Sequence, residues 1–498
     1  MSKQDRLNEL EAKKQSVLQG GGSEKVKVQH DDGKLTARER ISKLLDEKSF
    51  IETDTFAELS CAVEGFDAVS APGEGVVTGY GTINSRPVYV FSQDFTVLSG
   101  SLGYMHTQKI LKVLDMAGRA GIPVVGLLDS AGARLGEGAA ALNGLSKIMK
   151  KMASLSGVVP MISVVAGPCV GCASYLTSLS DFVFTTDKVS QILSGAPSLF
   201  GDEAEAIGGA MATCESGLSD FYATDEDNCF SQVKALLEYL PFNNVEDAPY
   251  SDQTDDLNRK LTSLDTAESF DAKQAIAAIA DNGAFFEVTA YHAKKIVTGF
   301  MRLNGFVVGV VANADNLCAC AAKKAASFVR FCDAYNTPIV TLVDTAGFPA
   351  CIEAEKKGQV TSGSKLIFAY AEASVPMVTI ICGKAIGAGF VAMCPKGLGA
   401  DMVYAWPDAV ISSLALDTAA NIIMTDEVLK ADDPIAKRAE LGSLYAEKFA
   451  GPFEAAKQGA IDDIIAPSET RQRVIAALEM SFGKREMTLP KKHGVMPL

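Results

Sequence analysis

The chemistry this chain can offer concentrates in two glycine-rich turns. In "AGPCVGCASYLTSLSDF" (166–182) two glycines, a proline and two cysteines crowd the end of an apolar run. Cys169 and Cys172 stand in C-x-x-C spacing, which suits a metal or redox site. No second such pair exists to complete a four-cysteine zinc site. The four histidines, His30, His106, His292 and His493, are not in ligand spacing either, so no metal is expected. The backbone offers the stronger chemistry. A helix that starts at a glycine turn has its first N–H groups unpaired and the positive end of its dipole facing outward. Glycine removes the Cβ atoms that would hold a ligand away. The product is an oxyanion cradle made of main-chain amides. The alternative, that the glycines only let helix and strand pack closely, stays open.

The cradle occurs twice. "VVAGPCVGCAS" (164–174) has a counterpart in "IICGKAIGAGF" (380–390). "VPMISVVAGPCVGCA" (159–173) and "VPMVTIICGKAIGAG" (375–389) align at an offset of 216, and "GIPVVGLLDSAG" (121–132) and "NTPIVTLVDTAG" (336–347) at 215. "VVTGYGTIN" (76–84) matches "IVTGFMRLN" (296–304) at 220, and "SFIE" (49–52) matches "AFFE" (284–287) at 235. Matches in one order, with offsets drifting by loop-sized steps, indicate an internal duplication. No G-x-S-x-G elbow and no G-x-x-x-x-G-K-[ST] phosphate loop accompanies the turns. Cradles without a nucleophile suit enolate chemistry beside a thioester. Two of them suit two enolate-like partners, the second a urea or amide oxygen.

The framework that holds these turns is legible in the patterning. Short apolar runs such as "PVYVFSQD", "PVVGLLD" and "PMISVVAG" each feed a longer helical pattern, for example "HTQKILKVLDMAGRA" (106–120) and "KKAASFVRFCDAY" (323–335). Such alternation implies an α/β fold with buried parallel strands and helices outside. A chain of 498 residues exceeds one ordinary core. The acidic, proline-containing "NNVEDAPYSDQTDD" (243–256) is the natural boundary, giving domains of residues 1–245 and 246–498. The opening "MSKQDRLNELEAKKQSVLQ" reads as an amphipathic helix rather than a secretory signal. The apolar run 374–393, broken by Lys384, reads as a buried strand entering a buried helix rather than a membrane span. A formal charge of −15 argues against a nucleic-acid partner. Eleven cysteines, an odd number, suggest free thiols in a reducing cytoplasm.

The sequence resembles the carboxyltransferase subunits of biotin-dependent acyl-CoA carboxylases and decarboxylases. The likeness runs through "GKLTARERISKLLD" (33–46), "DSAGARLGEG" (129–138), "SGVVPMISVVAGPCVGCASY" (156–175), "FVRFCDAYNTPIVTLVDTAGF" (328–348), "YAWPDAVI" (404–411), "AGPFEAAKQGAIDDIIAPSETR" (450–471) and the terminal "KKHGVMPL". It implies two domains of the ClpP/crotonase class, the first on the acyl-CoA side and the second on the biotin side. By resemblance, the first oxyanion hole maps to the amides of Gly171 and Cys172 and the second to Ala388 and Gly389. Ala131, Gly132, Ala133 and Arg134 match the segment near CoA, and Val391 matches a position that helps choose the acyl group. Gly347, Phe348 and Gly387 fall on the biotin side. The reaction implied is carboxyl transfer between biotin and the α-carbon of a short-chain acyl-CoA. The resemblance also implies a homo-oligomer, often a hexamer, whose active site joins the first domain of one subunit to the second of its neighbour.

Chemistry of that kind requires biotin on a separate carrier protein, with a biotin carboxylase or a membrane decarboxylase subunit as further partner. The chain shows neither a biotinyl-lysine signal of Ala-Met-Lys-Met type nor an ATP-binding module. Departures from the family pattern gather on the biotin side. "GAGF" (387–390) stands for Gly-Gly-Ala-Tyr, Thr361 and Ser362 stand for an Arg-His pair, and "ANADNLCAC" (312–320) replaces a loop with Asn-Gln-Pro. Cys172 occupies a customary glycine position. Two other readings therefore stay in play: a biotin-independent CoA-ester decarboxylase or hydratase of crotonase type, and a non-catalytic structural subunit of a carboxylase complex.

Overall fold

The computed structural model describes residues 2–58, 71–252, 254–486 and 489–497. The chain divides into two compact units, Met1–Glu246 and Asp247–Leu498. In the first, strands β1 (Ile51–Thr53), β2 (Val76–Ile83), β3 (Arg86–Gln93), β4 (Val124–Ser130), β5 (Met161–Val170), β6 (Phe182–Thr186), β7 (Gln191–Leu193) and β8 (Phe221–Ala223) form one sheet. The order is β1-β2-β3-β4-β5-β6-β8, with β7 on the far end of β5. Pairing is antiparallel through β1, β2 and β3 and parallel beyond.

The second unit repeats this plan. Its strands are β9 (Phe285–Val288), β10 (Ile296–Leu303), β11 (Phe306–Ala314), β12 (Ile339–Thr345), β13 (Met377–Ile386), β14 (Met402–Ala405), β15 (Val410–Ser412) and β16 (Asp463–Ile464). They run β9-β10-β11-β12-β13-β14-β16, with β15 on β13. The α/β class and the duplication read from sequence are both present.

Detail repeats as well as plan. Each β2–β3-type hairpin closes on two residues of positive φ, Asn84 and Ser85 (48° and 64°) or Asn304 and Gly305 (51° and 79°). Both residues left-handed is the type I′ turn that matches strand twist. An aspartate accepts both turn amides each time: Asp46 from Asn84 and Ser85 (3.0 and 2.8 Å), and Asp281 from Asn304 and Gly305 (3.1 and 2.8 Å).

Helices cover the sheets through apolar stripes. In Tyr104–Ala120 the buried Ile110, Val113, Leu114 and Ala117 keep the i, i+3, i+4, i+7 rhythm and pack with Leu145, Ile148 and Met152 of Ala139–Leu155. Ala319–Ala334 buries Ala325, Phe328, Val329 and Cys332 in the matching place. The opening helix, Lys3–Leu18, buries no residue, and its Leu7, Leu10 and Leu18 are 41–50% exposed. One expectation needs correction. The run 374–393 does form β13 and then a helix, Gly387–Ala392, but only Gly389 and Ala392 of that helix are buried. Among the described residues no helix is long and apolar enough to cross a membrane.

Candidate active site

The two glycine turns owe their direction to a strand irregularity that occurs in both units. Between β4 and β5 the register slips, so that Leu128 pairs with Val165 but Ser130 with Cys169. Between β12 and β13 Val343 pairs with Ile381 but Thr345 with Ala385. Extra residues on one strand bend it and re-aim the chain beyond the bend. The end of β5 consequently leaves β6 and pairs with β7, and the end of β13 pairs with β15. Gly167 and Gly383 sit at the two bends. A Cβ at Gly167 would collide with the Asp129 carboxylate, and one at Gly383 would lie 2.6 Å from Asp344 Oδ1.

Beyond the first bend, Gly171 takes φ +60° and opens a 3₁₀ turn, Gly171–Ser174. The first amides of such a turn have no partner within it. A Cβ at Gly171 would meet nothing within 4 Å, so the space beside these amides is open. Cys172 is half-buried, and the Ser174 hydroxyl donates back to Gly171 O at 2.8 Å. Beyond the second bend Gly387, at φ +54°, begins the helix Gly387–Ala392, with Ala388 exposed and Gly389 buried. Here a Cβ at Gly387 would lie 3.0 Å from Ser413 O. At Gly389 it would lie 2.7 Å from Gly347 Cα. Close packing therefore also requires glycine at Gly389. Val391, 49% exposed, comes next but one on the same helix.

Each turn has a neighbouring loop, again in duplicate. Gly132 (φ +97°) abuts the end of β5, where its Cβ would lie 2.9 Å from Val170 O; Gly347 (φ +100°) stands 3.4 Å by the same measure from Ile386 O. The amide of Gly132 donates to Ser130 Oγ (3.1 Å) and that of Gly347 to Thr345 Oγ1 (3.2 Å). Their carbonyls accept from Leu102 N (2.9 Å) and Leu317 N (3.0 Å). Within the first unit, Ala131 to Arg134 thus lie beside Gly171 and Cys172. Within the second, Gly347 lies beside Gly387 to Gly389. The Phe348 ring packs on Gly363, where a Cβ would be 2.8 Å from the ring edge. Ser362 is buried and its hydroxyl donates to Gly358 O (2.9 Å); Thr361 is exposed.

Arg134 is committed inside its own unit. Its guanidinium pairs with Glu74 (2.6 Å) and Glu137 (2.9 Å) and donates to Ser101 O (3.1 Å). Ala131 N and Arg134 N donate to Ser99 O and Leu102 O, both at 3.0 Å. This segment therefore shapes the rim of the turn instead of offering a free cation. Lys147 and Lys150, on the wet face of their helix, are exposed.

The cysteines are passengers. Cys169 is fully buried, its S–H donates to Ala173 O (3.3 Å), and burial, reinforced by Asp129, pushes its thiol up to about 12. Ten cysteines among the described residues are free thiols; Cys61 lies outside them. No group of three His, Cys, Asp or Glu among the described residues could hold a metal ion.

Sequence reasoning missed what braces the first turn. Asp129, fully buried, accepts from Lys34 Nζ (3.2 Å), Arg40 Nη1 (2.9 Å) and Gln29 Nε2 (3.0 Å). Arg40 also pairs with Glu226 (2.8 Å) and donates to Ala166 O (2.7 Å), just before the bend. Burial works against its charge, but Asp129 and Glu226 outweigh that and hold its pKa above the usual value. Asp129 N donates to Gln93 Oε1 (3.1 Å), Gln93 Nε2 meets His106 Nε2 (3.3 Å), and His106 Nδ1 meets Glu74 O (2.8 Å). A neutral His106 with its proton on Nδ1 satisfies both contacts. Lys109 grips Gly73 O and Val76 O (2.8 and 2.6 Å). Its counterpart at offset 215, Lys324, grips His292 O and Ile296 O (3.0 and 2.9 Å). Carrying the same offset through the helices would have exposed this buried pair.

Comparison with known proteins agrees with this geometry. Residues 28–496 match the carboxyl transferase domain family. The chain is 45% identical to methylmalonyl-CoA decarboxylase subunit alpha of Veillonella parvula over 513 residues, covering 99% of each. It is 43% identical to the propionyl-CoA carboxylase beta chain of Cereibacter sphaeroides over 512 residues, covering 99% of this chain and all of that one. A crystal structure of transcarboxylase 12S with methylmalonyl-coenzyme A bound superposes with a TM-score of 0.95 at 40% identity, covering 100% of this chain and 99% of the other. The chain belongs to the carboxyl transferase domain family and is a carboxyltransferase on the duplicated crotonase-like fold.

Proposed function

We propose that this carboxyltransferase moves a carboxyl group between biotin, held on a separate carrier protein, and the α-carbon of a short-chain acyl-CoA of the propionyl and methylmalonyl class. The observation that carries the reading is the pair of bent strands ending in amide turns, Gly171–Cys172 in one unit and Ala388–Gly389 in the other. The relatives' names supply the acyl class.

In this reading the amides of Gly171 and Cys172 donate to the thioester oxygen as negative charge gathers there during bond making or breaking at the α-carbon. A fixed donor of that kind contributes about 2.7–4 kcal/mol to the transition state. It contributes most when it does not reorganise, and the Asp129–Arg40 bracing supplies that rigidity. Ala131 to Arg134 form the rim against which CoA lies, and Val391 helps choose the acyl group.

The second turn suits a ureido oxygen, an acceptor that needs only donors: Ala388 is exposed and Gly389 has no Cβ to shield its amide. Biotin, when bound, supplies or receives the carboxyl group. Ala388 and Gly389 hold its oxygen, and Gly347 and Phe348 shape the neighbouring loop. The partners are a biotin carboxyl carrier protein and a biotin carboxylase or membrane decarboxylase subunit. The chain itself works in the cytoplasm as a homo-oligomer, a hexamer like transcarboxylase 12S.

The test is transfer by the full chain between methylmalonyl-CoA and free biotin, measured as biotin-dependent formation of propionyl-CoA. No exchange with any member of a short acyl-CoA panel overturns the reading. Turnover indifferent to biotin transfers it to a crotonase-type decarboxylase.

A further inference from the structure

Three consecutive residues at the entry to β2 are left-handed: Gly73, Glu74 and Gly75, at φ 63°, 62° and 68°. That backbone region favours glycine, so the long side chain at the middle position is kept against strain. Strain that a structure holds in place points to function. The Glu74 carboxylate is fully buried, and its partner is Arg134 of the rim beside Gly171 (2.6 Å). The carbonyl of Glu74 also accepts from His106 Nδ1 (2.8 Å) and Arg134 Nη2 (3.3 Å).

One residue beyond Arg134 the rim is in solvent: Leu135 is 94% exposed, and Gly136 and Gly138 are exposed as well. The loop returns through Glu137, which pairs with the same guanidinium and accepts from Tyr104 N. Arg134 therefore tethers the rim, residues 131–137, and Glu74 ties Arg134 to the sheet.

The second unit shows that the fold does not require this pair. Lys324 clamps the entry to β10 as Lys109 clamps the entry to β2. Yet Glu74, at offset 220, becomes Lys294, and His106 and Arg134, at offset 215, become Ala321 and Pro349. Residues 293–295 contain one left-handed residue, Ala293 (45°), and Lys294 is exposed. The same architecture closes there without the ion pair. The pair serves what is particular to the first unit, its rim.

We propose that Glu74 is a positioning residue for carboxyl transfer, which through Arg134 fixes the rim in the place where acyl-CoA lies. The inference rests on the acyl-CoA reading of the first unit. Glu74 meets no reacting group; it keeps the guanidinium docked, so the rim is ordered before the ligand arrives. Order present before binding appears as affinity.

Binding of propionyl-CoA to the full chain is measured by titration calorimetry, and kcat and KM by transfer from methylmalonyl-CoA to biotin. Glu74→Gly removes the carboxylate and relieves the strain, so the turn still forms. Glu74→Gln keeps the shape and an acceptor but loses the charge. Val233→Ala, a core change in the helix Glu226–Leu237 that packs on β6 and β8, supplies destabilisation alone. Glu74→Gly should weaken propionyl-CoA binding and raise KM for methylmalonyl-CoA about tenfold, and Glu74→Gln about threefold. In both variants kcat and KM for biotin stay within about twofold, because the Gly171 turn keeps its own bracing through Asp129. Val233→Ala melts lower and binds propionyl-CoA as the parent does. A parent that binds no acyl-CoA overturns the acyl-CoA reading and this proposal with it. A parent that binds it no better than Glu74→Gly does overturns the proposal alone. So does a Val233→Ala protein with the same loss of affinity, or a Glu74→Gly protein whose loss falls in kcat.

Discussion

Replacing Gly171 by alanine separates a catalytic turn from a packing turn. The residue sits at φ +60°, where an L side chain costs about 1–2 kcal/mol. Reduced freedom of the unfolded chain offsets part of that, roughly 0.4–1 kcal/mol. The added methyl meets no atom of the unit within 4 Å, so no overpacking adds to the cost. Net destabilisation is about 1 kcal/mol, which for a domain of this size lowers the unfolding midpoint by about 2–4 °C. On the proposed reading, the same open space that spares the fold is where the thioester oxygen sits. A methyl there displaces the oxygen from the amides, and kcat/KM for transfer should fall about 10²–10³-fold, as when one oxyanion donor is removed. The assay pairs thermal unfolding with steady-state transfer from methylmalonyl-CoA to biotin. Cys172→Ala serves as control, because it keeps the backbone donor, and it should stay within about threefold of the parent. A Gly171→Ala protein that melts as expected but retains its kcat/KM would refute the assignment.

Two more outcomes concern the bracing. Arg40→Met removes a buried charge from between Asp129 and Glu226 and should destabilise the first unit by about 3–5 kcal/mol, measured by urea unfolding. His106 is held down to about 3 by burial and then by the Arg134 charge, against an ordinary 6.5. Between those values the unfolded chain binds a proton that the folded chain refuses. Stability therefore falls with falling pH by about 1.4 kcal/mol per unit, and His106→Gln should flatten that acid limb in unfolding curves recorded from pH 7 downward.

The parts legible in the sequence were those written locally. Apolar runs bounded by Asn84 and Asn304 became β2–β3 and β10–β11 because the type I′ turn needs only two residues. The duplication showed because strand ends and glycine turns preserve residue type. The bracing did not show, because Asp129 and Glu226 lie 89 and 186 residues from Arg40 along the chain and meet it only through the sheet. The exposure of the opening helix did not show, because Leu7, Leu10 and Leu18 form a stripe that the described residues leave uncovered. At Gly389 the packing reading of the glycine turn holds, because a Cβ there would lie 2.7 Å from Gly347 Cα.

Duplicated turns need not do equivalent work, and their surroundings differ in charge. Behind the first bend, Asp129 is neutralised by Lys34 and Arg40 at 3.2 and 2.9 Å. Behind the second, Asp344 has a main-chain donor, Lys384 N, but no paired cation among the described residues. An uncompensated carboxylate close behind a set of amides opposes negative charge developing in front of them. On the proposed reading, the first turn is the better host for an oxygen that gains a full negative charge, as a thioester enolate does. The second is suited to an oxygen that stays close to neutral, as a ureido carbonyl does. The division of labour between the copies then depends on which of them kept its cations.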